Sequence, residues 1–158
     1  MKPQHLLLPL LLCFASPALA DETDCKAANA LLQQFLSGLR AHRLDQVGSL
    51  LAKDMAVRVE WLDSEPVKQF TLSREDYLQQ MKATWHFGSA ETLEAGPVRW
   101  QVENTACIAL LTVKENRRIL DTPTGQENQL RLRLENLPSE KQGNGWRITA
   151  INTRTKTW

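Results

Sequence analysis

The chain has 158 residues, of which 42% are hydrophobic, 19 are lysine or arginine and 18 are aspartate or glutamate. A chain of this length fits a single domain that can bury a core without help from a metal. Because the formal net charge is only +1, the composition argues against a nucleic-acid-binding protein and against electrostatic capture by an anionic membrane.

Residues 1–20 have the three-part layout of a secretory signal peptide. A lysine near the start precedes an apolar run over residues 6–15, and small residues follow. This layout predicts cleavage between Ala20 and Asp21, export to the periplasm, and one mature domain over residues 21–158. No membrane association is expected after cleavage.

Two other interpretations of this segment are less favourable. A membrane anchor needs about 20 apolar residues to span the hydrocarbon core, which is more than this run provides. Lipid attachment at Cys13 would follow Leu12, which is large where the processing enzyme prefers a small residue. Cleavage of the signal peptide is therefore the prediction.

Cys25 and Cys107 are the cysteines that remain after cleavage. In an oxidising compartment two such thiols commonly form a disulfide. A bond across this long loop would stabilise the fold by roughly 4.5 kcal/mol on the chain-entropy model. Two unpaired buried thiols are the alternative, and a redox role is disfavoured because the sequence has no Cys-x-x-Cys spacing.

The mature chain begins with helical patterns. Apolar residues recur every three or four positions over residues 28–39, and Asp24 can cap the first turn. A second helical pattern covers residues 44–51 after a short break. Residues 57–61 then alternate between apolar and polar side chains, which is typical of a half-buried strand.

A third helix has a strong start signal. Ser73 is suited to cap it, Asp76 follows three residues later, and Leu72 can pack against Tyr77 as a hydrophobic staple. Gly88 is expected to end this helix.

The remainder of the chain predicts antiparallel strands joined by turns. Alternating apolar residues mark strands over residues 98–102, 107–113, 130–134 and 146–150, and polar turns are expected at residues 103–105, 121–125 and 138–145. Helices early and hairpins late predict an α+β fold in which N-terminal helices pack on the concave face of a curved antiparallel sheet. The expected order is two helices, a strand, a helix and four strands.

Three segments carry a family resemblance. The helix start at residues 72–78, the hairpin at residues 98–113 and the closing segment at residues 143–148 resemble the nuclear transport factor 2-like superfamily. Its relatives include ketosteroid isomerase, polyketide cyclases and the association domain of the calcium/calmodulin-dependent kinase. The resemblance covers residues 25–157. It implies a cone-shaped α+β barrel with a ligand or substrate pocket between helices and sheet, and a homodimer through the outer sheet face.

The residues that could line such a pocket are mostly aromatic. An aromatic wall suits a small apolar ligand, although the same side chains could simply fill the core. His86 is expected at the end of the third helix, on the rim, and Asn152 on the last strand could hydrogen-bond a ligand. The pocket candidates are Trp61, Tyr77, Trp85, His86, Trp100 and Asn152.

No strong catalytic constellation is visible. Alternation turns Glu60 towards solvent, and Asp63 lies in a polar turn beyond the strand. His42 is expected in the exposed join between the first two helices. Many relatives place a histidine and a serine near the end of the fold, where this chain has residues 150–153 of sequence Ala-Ile-Asn-Thr. No metal-ligand spacing or nucleotide-binding motif is present, so neither a metal nor another cofactor is expected.

These observations favour a periplasmic, non-enzymatic binding or accessory domain with an apolar, aromatic-lined pocket. A first alternative is an isomerase-, cyclase- or dehydratase-like enzyme that uses Asp63 or Glu60 with Tyr77 as a hydrogen-bond donor. A second alternative is a protein-interaction module, such as an inhibitor or an immunity-like partner, that binds through its outer sheet face.

Overall fold

A computed structural model describes residues 25–138 and 145–158 of the chain. The predicted signal peptide, the proposed capping residue Asp24 and part of the last predicted turn lie outside these residues. Within the described residues, no helix is both long and apolar enough to cross a membrane.

In the described part of the chain, three helices pack on one side of the sheet. They are α1 (Lys26–Arg40), α2 (Leu44–Leu50) and α3 (Arg74–Phe87). Helix α1 buries an apolar stripe that includes Leu32, Phe35 and Leu36. Helix α3 begins as predicted, because the Ser73 hydroxyl accepts a hydrogen bond from the backbone N–H of Asp76 at 3.1 Å.

Seven strands form one curved, unclosed sheet. They are β1 (Leu51–Trp61), β2 (Lys68–Ser73), β3 (Gly88–Ala95), β4 (Arg99–Glu103), β5 (Ala106–Ile119), β6 (Thr122–Asn136) and β7 (Trp146–Thr157). Their order is β2-β1-β7-β6-β5-β3, and β4 pairs with β5 beside β3. Helices against a curved sheet confirm the predicted fold class.

One pairing differs from the antiparallel arrangement expected from hairpins. The last strand, β7, lies beside β1 and runs parallel to it, with Val57 opposite Ile151 and Val59 opposite Thr153. Parallel neighbours need a long connection, and here the chain between β1 and β7 supplies it. The sheet is therefore mixed.

Two strands are absent from the sequence-based order. Strand β2 exposes nearly all its residues, and its apolar alternation is limited to Phe70 and Leu72, which is too short to mark a half-buried strand. Strand β3 follows Gly88 directly and pairs with the far half of β5. Both lie at sheet edges, where one side of the backbone pairs and fewer side chains need to be apolar.

The β5–β6 hairpin is longer than predicted. Ile119 pairs with Thr122, so the turn is Leu120–Asp121 rather than residues 121–125. Both turn residues have left-handed backbone angles, with φ of 48° and 64°. Leucine is unusual at such a position, which is why the sequence did not indicate a tight turn there.

The core is densest where α1 meets the middle of the sheet. Leu32, Leu132, Leu134 and Ile148 are fully buried there. Cys25, just before α1, forms a disulfide with Cys107 near the start of β5, with Cα atoms 5.8 Å apart. The predicted disulfide is thus confirmed, and it joins the helical layer to the sheet.

Candidate functional site

A cavity of about 300 Å³ lies between helices α1 and α3 and the concave face of the sheet. Most of its wall is apolar. The side chains that form this wall include Val59, Trp61, Phe70, Met81, Trp85 and Leu130. Helix α3 covers the cavity and has no fully buried residue, because its inner face packs only partly against the core and also borders the cavity.

The polar part of the wall comes from one end of the long strands. On β5 the inward positions change from Val113 to Glu115 and Arg117, and on β6 they change from Leu130 to Asn128. Strand β7 ends with inward-facing threonines. These positions are adjacent in the sheet, so the polar residues form a continuous patch inside the cavity.

Asn128 and Thr155 are the two most enclosed residues of this patch, with 7% and 3% of their surfaces exposed. The Oδ1 of Asn128 accepts hydrogen bonds from the Thr155 hydroxyl at 2.8 Å and from Nε2 of Gln126 at 3.0 Å. Thr153 lies 3.4 Å from Thr155 through their hydroxyls. Two hydrogen bonds to Oδ1 therefore hold the side-chain amide of Asn128 in one orientation.

Glu115 and Arg117 form an ion pair two residues apart on the same face of β5. Their side chains are only 17% and 15% exposed. Burial lowers the pKa of Arg117 from its ordinary value, because removing the guanidinium from water disfavours its charged form. The carboxylate of Glu115 offsets that cost.

Tyr77 faces the cavity from α3. Burial raises the pKa of its hydroxyl to about 12, so the group stays protonated at neutral pH. Its hydroxyl forms no hydrogen bond within the described residues and is available as a donor.

The structure brings together three of the predicted pocket residues: Trp61, Tyr77 and Trp85 all line the cavity. Trp100 instead packs against the core from β4. His86 is exposed at the end of α3, where its ring meets Phe87 edge-on at 4.8 Å.

Asn152 also lies outside the cavity lining. Its neighbours on β7, Ile151 and Thr153, face the cavity, and successive side chains of a strand point to opposite faces. Asn152 therefore belongs to the outer face, opposite Arg58 and Arg131 in the sheet register.

The acidic residues considered for catalysis are held elsewhere. Glu60 accepts a hydrogen bond from Nε of Arg154 at 3.0 Å. Asp63 accepts hydrogen bonds from the hydroxyl and the backbone N–H of Thr157, which lower the pKa of Asp63. Neither carboxylate lines the cavity.

His42 is likewise not part of the cavity wall. Its ring stacks on Trp85 with centroids 4.8 Å apart. Across residues 25–138 and 145–158, no group of three possible metal ligands comes together.

The sequence analysis missed the polar patch, which we define as Glu115, Arg117, Gln126, Asn128, Thr153 and Thr155. A signal for it exists. These residues continue, in steps of two, the inward apolar positions of β5, β6 and β7. Polar residues at inward positions of three neighbouring strands indicate a cavity in place of a filled core.

Comparisons with known proteins bear on the fold. No family model matches the sequence, and no curated protein matches it significantly. Many solved structures do match. A candidate scytalone dehydratase from Novosphingobium aromaticivorans has 13% identity and a TM-score of 0.66, and the match covers 87% of each chain.

Two further structures illustrate the range of these matches. A nuclear transport factor 2-like protein from Cytophaga hutchinsonii has 8% identity and a TM-score of 0.64 over 86% of this chain and 99% of that one. A hexachlorocyclohexane dehydrochlorinase from Novosphingobium barchaimii has 14% identity and a TM-score of 0.59 over 86% and 91%. The chain has the nuclear transport factor 2-like fold, and identities this low show the fold alone.

Proposed function

We propose that this protein is an exported, non-enzymatic binding domain that holds one small, largely apolar molecule in the cavity under α3. The observation that carries the proposal is the composition of the cavity wall. Its aromatic and aliphatic side chains would bury the body of a ligand, and its polar patch would orient one end. A volume of about 300 Å³ is at the small end for ligand pockets.

The state of the ionisable groups supports binding over catalysis. Glu115 is the one carboxylate among the described residues that line the cavity, and it is paired with Arg117. A general base needs a free lone pair within reach of the substrate. Because Nη2 of Arg117 pairs with Oε2 of this carboxylate, the charge of Glu115 is balanced by a cation, and Glu115 is better suited to neutralise Arg117 than to accept a proton.

Export is supported by the disulfide between Cys25 and Cys107, since such bonds persist in oxidising compartments. Residues 1–20 would then be removed on the way. Mass spectrometry of protein recovered from the periplasm should find a mature chain that begins at Asp21. A chain that retains residues 1–20 would contradict this part of the proposal.

The neutral fluorescent probe N-phenyl-1-naphthylamine tests the cavity, because its emission rises in apolar surroundings. Thr84→Trp would fill the cavity, since Thr84 lines it. Ala83→Trp adds the same ring at the adjacent exposed position and is the matched control. We expect binding by the wild type and by Ala83→Trp, and at least tenfold weaker binding by Thr84→Trp. Equal affinity in all three proteins would refute the cavity as the site.

Acid–base catalysis in the same cavity is a second candidate. It is favoured by the presence of both Glu115 and Tyr77 in the lining, and two matched folds are named as a dehydratase and a dehydrochlorinase. The two candidates predict different fates for a bound molecule. Native mass spectrometry of protein purified from its own periplasm should show an intact ligand for a binding domain, whereas conversion of that ligand by fresh protein would establish catalysis.

A further inference from the structure

The polar patch contains a hydrogen-bond donor that no protein group uses. Asn128 is more than nine-tenths buried, and both hydrogen bonds to its side chain end on Oδ1. Its amide nitrogen has no partner within the described residues, although Asn128 lines the cavity. This nitrogen is not fully enclosed by protein atoms, so it can donate to the acceptor of a molecule in the cavity.

Tyr77 offers a second donor in the same cavity. Its hydroxyl reaches the cavity from α3, across from the sheet that carries Asn128. As with Asn128, nothing in the described part of the chain accepts from it. The cavity therefore presents two neutral donors from opposite walls, and a ligand that enters would need an acceptor to satisfy them.

The charged side chains in the cavity indicate which net charge a ligand can carry. Arg117 is the one cationic side chain in the described lining, and Glu115 cancels it. An anionic ligand would be taken out of water beside the carboxylate of Glu115. Nη2 of Arg117 is paired with that carboxylate, and the Nε of Arg117, which has no partner, is fully enclosed by protein atoms and so offers the anion no accessible donor. An uncharged acceptor, such as an ester, amide or ether oxygen, avoids that cost.

We infer that the cavity selects an uncharged, largely apolar molecule that carries hydrogen-bond acceptors, which receive hydrogen bonds from Asn128 on the sheet and from Tyr77 on α3. The inference rests on the proposed binding function and specifies its ligand class. In this arrangement Glu115 and Arg117 exclude anions, and the aromatic wall holds the apolar body.

Three probes of nearly equal size separate these features. Methyl 2-naphthoate is uncharged and has an ester acceptor, 2-naphthoate is its anion, and 2-isopropylnaphthalene has no acceptor. Their affinities for the intact mature protein can be measured by isothermal titration calorimetry. We expect the ester to bind at least about tenfold more tightly than the anion, and about tenfold more tightly than the hydrocarbon.

Two variants assign the donors. Tyr77→Phe should reduce the ratio of ester to hydrocarbon affinity about 3- to 10-fold. Asn128→Asp keeps the oxygen that accepts from Thr155 and replaces the free nitrogen with an acceptor, so the same ratio should fall at least tenfold. Asn152→Asp makes the identical change on the outer face and should leave the ratio unchanged. If Asn128→Asp does not fold, Tyr77→Phe still decides the question.

The outcomes separate the two proposals. If the hydrocarbon binds as tightly as the ester, or the anion binds most tightly, the ligand class inferred here is wrong while the binding function stands. An unchanged ratio in Tyr77→Phe and Asn128→Asp would likewise overturn the assigned donors alone. If none of the three probes binds, the proposed binding function itself fails.

Discussion

The concave side of the sheet has two ends that are built from the same strands but behave differently. We call the inward positions of Cys107, Leu134 and Ile148 the packed end, where side chains are almost fully buried. The other end is the polar patch, reached by following β5 forwards to Arg117 and β6 backwards to Gln126. Continuous strands thus carry both a core and a site.

The helices that cover the two ends also differ in how deeply they are buried. Helix α1 has six buried residues and closes the packed end. Helix α3 has none and covers the cavity beside the polar patch. Most of the stability should therefore come from α1 and the packed end, because burial of apolar surface is the main favourable contribution to folding. The polar patch should contribute less to stability and can instead serve to bind a ligand.

The largest expected effect comes from removing the disulfide. Replacement of both Cys25 and Cys107 by alanine should lower the free energy of unfolding by about 4 kcal/mol, since the bond closes a separation of 82 residues. Urea denaturation measures the loss. Probe binding by the variant that remains folded should be unchanged, because neither cysteine lines the cavity. A loss below about 1 kcal/mol would mean that the disulfide hardly constrains the unfolded chain.

The same substitution at two neighbouring inward positions of β6 compares the ends directly. Leu132→Ala should cost about 3 kcal/mol, because Leu132 is fully buried and truncation leaves a void. Leu130→Ala should cost about 1 kcal/mol, because Leu130 already borders the cavity. Urea denaturation of both variants tests this, and equal costs would contradict the division between packed end and cavity.

The ion pair between Glu115 and Arg117 allows the stability of the polar patch to be measured. Arg117→Met alone should destabilise the fold by about 2 kcal/mol, because it leaves the carboxylate of Glu115 enclosed without its partner. Adding Glu115→Leu should restore most of that loss, since a buried pair often contributes little compared with apolar side chains of similar size. Thermal and urea unfolding of the two variants measure both steps.

Recovery in the double variant would show that Glu115 and Arg117 are not present for stability. A double variant as unstable as Arg117→Met would instead assign the pair a structural role.

The smallest effect is expected from an exposed contact near the chain end. Hydrogen bonds from Thr157 lower the pKa of Asp63 from its ordinary value of 3.8. The folded state therefore favours the ionised carboxylate, and its contribution is complete above the ordinary pKa and is lost as the pH falls through the folded pKa. Asp63→Asn should lower the melting temperature slightly at pH 7 and flatten its decline as the pH falls below the ordinary pKa of 3.8.

If the melting temperature of Asp63→Asn falls as steeply at acidic pH as that of the wild type, the contact between Asp63 and Thr157 does not contribute to the pH dependence of stability. Glu135 has a lowered pKa for a similar reason, through hydrogen bonds from Thr149 and Arg133, and should account for part of the decline that remains.

The packed end could be predicted from sequence and the polar end could not. Apolar periodicity located α1 and β1, and Ser73 with Asp76 marked the start of α3, because these signals arise from local burial and capping. The same reasoning assigns polar residues to solvent. That rule holds for Glu60, but it fails for Glu115 and Asn128, which face inwards onto a cavity.

The edge strands β2 and β3 were not predicted from the sequence for a related reason. Strand β2 is stabilised by backbone pairing to β1. Its side chains are largely exposed, and its alternation is limited to Phe70 and Leu72.

The placement of Asn152 depends on an irregularity in β7. Leu134 pairs with Ile148 and Arg133 with Ala150, so one extra residue shifts the register and moves Asn152 to the other face. Backbone pairing over long separations sets that register, and a single sequence does not display it.

The central claim is that a ligand sits between α3 and the polar patch, and side-chain amide signals in nuclear magnetic resonance test it most directly. Titration of methyl 2-naphthoate into labelled protein should shift the Asn128 side-chain amide and the indole signals of Trp61 and Trp85. The amide of Asn152, on the outer face, should stay in place. Shifts that centre on Asn152, with Asn128 unmoved, would contradict the account.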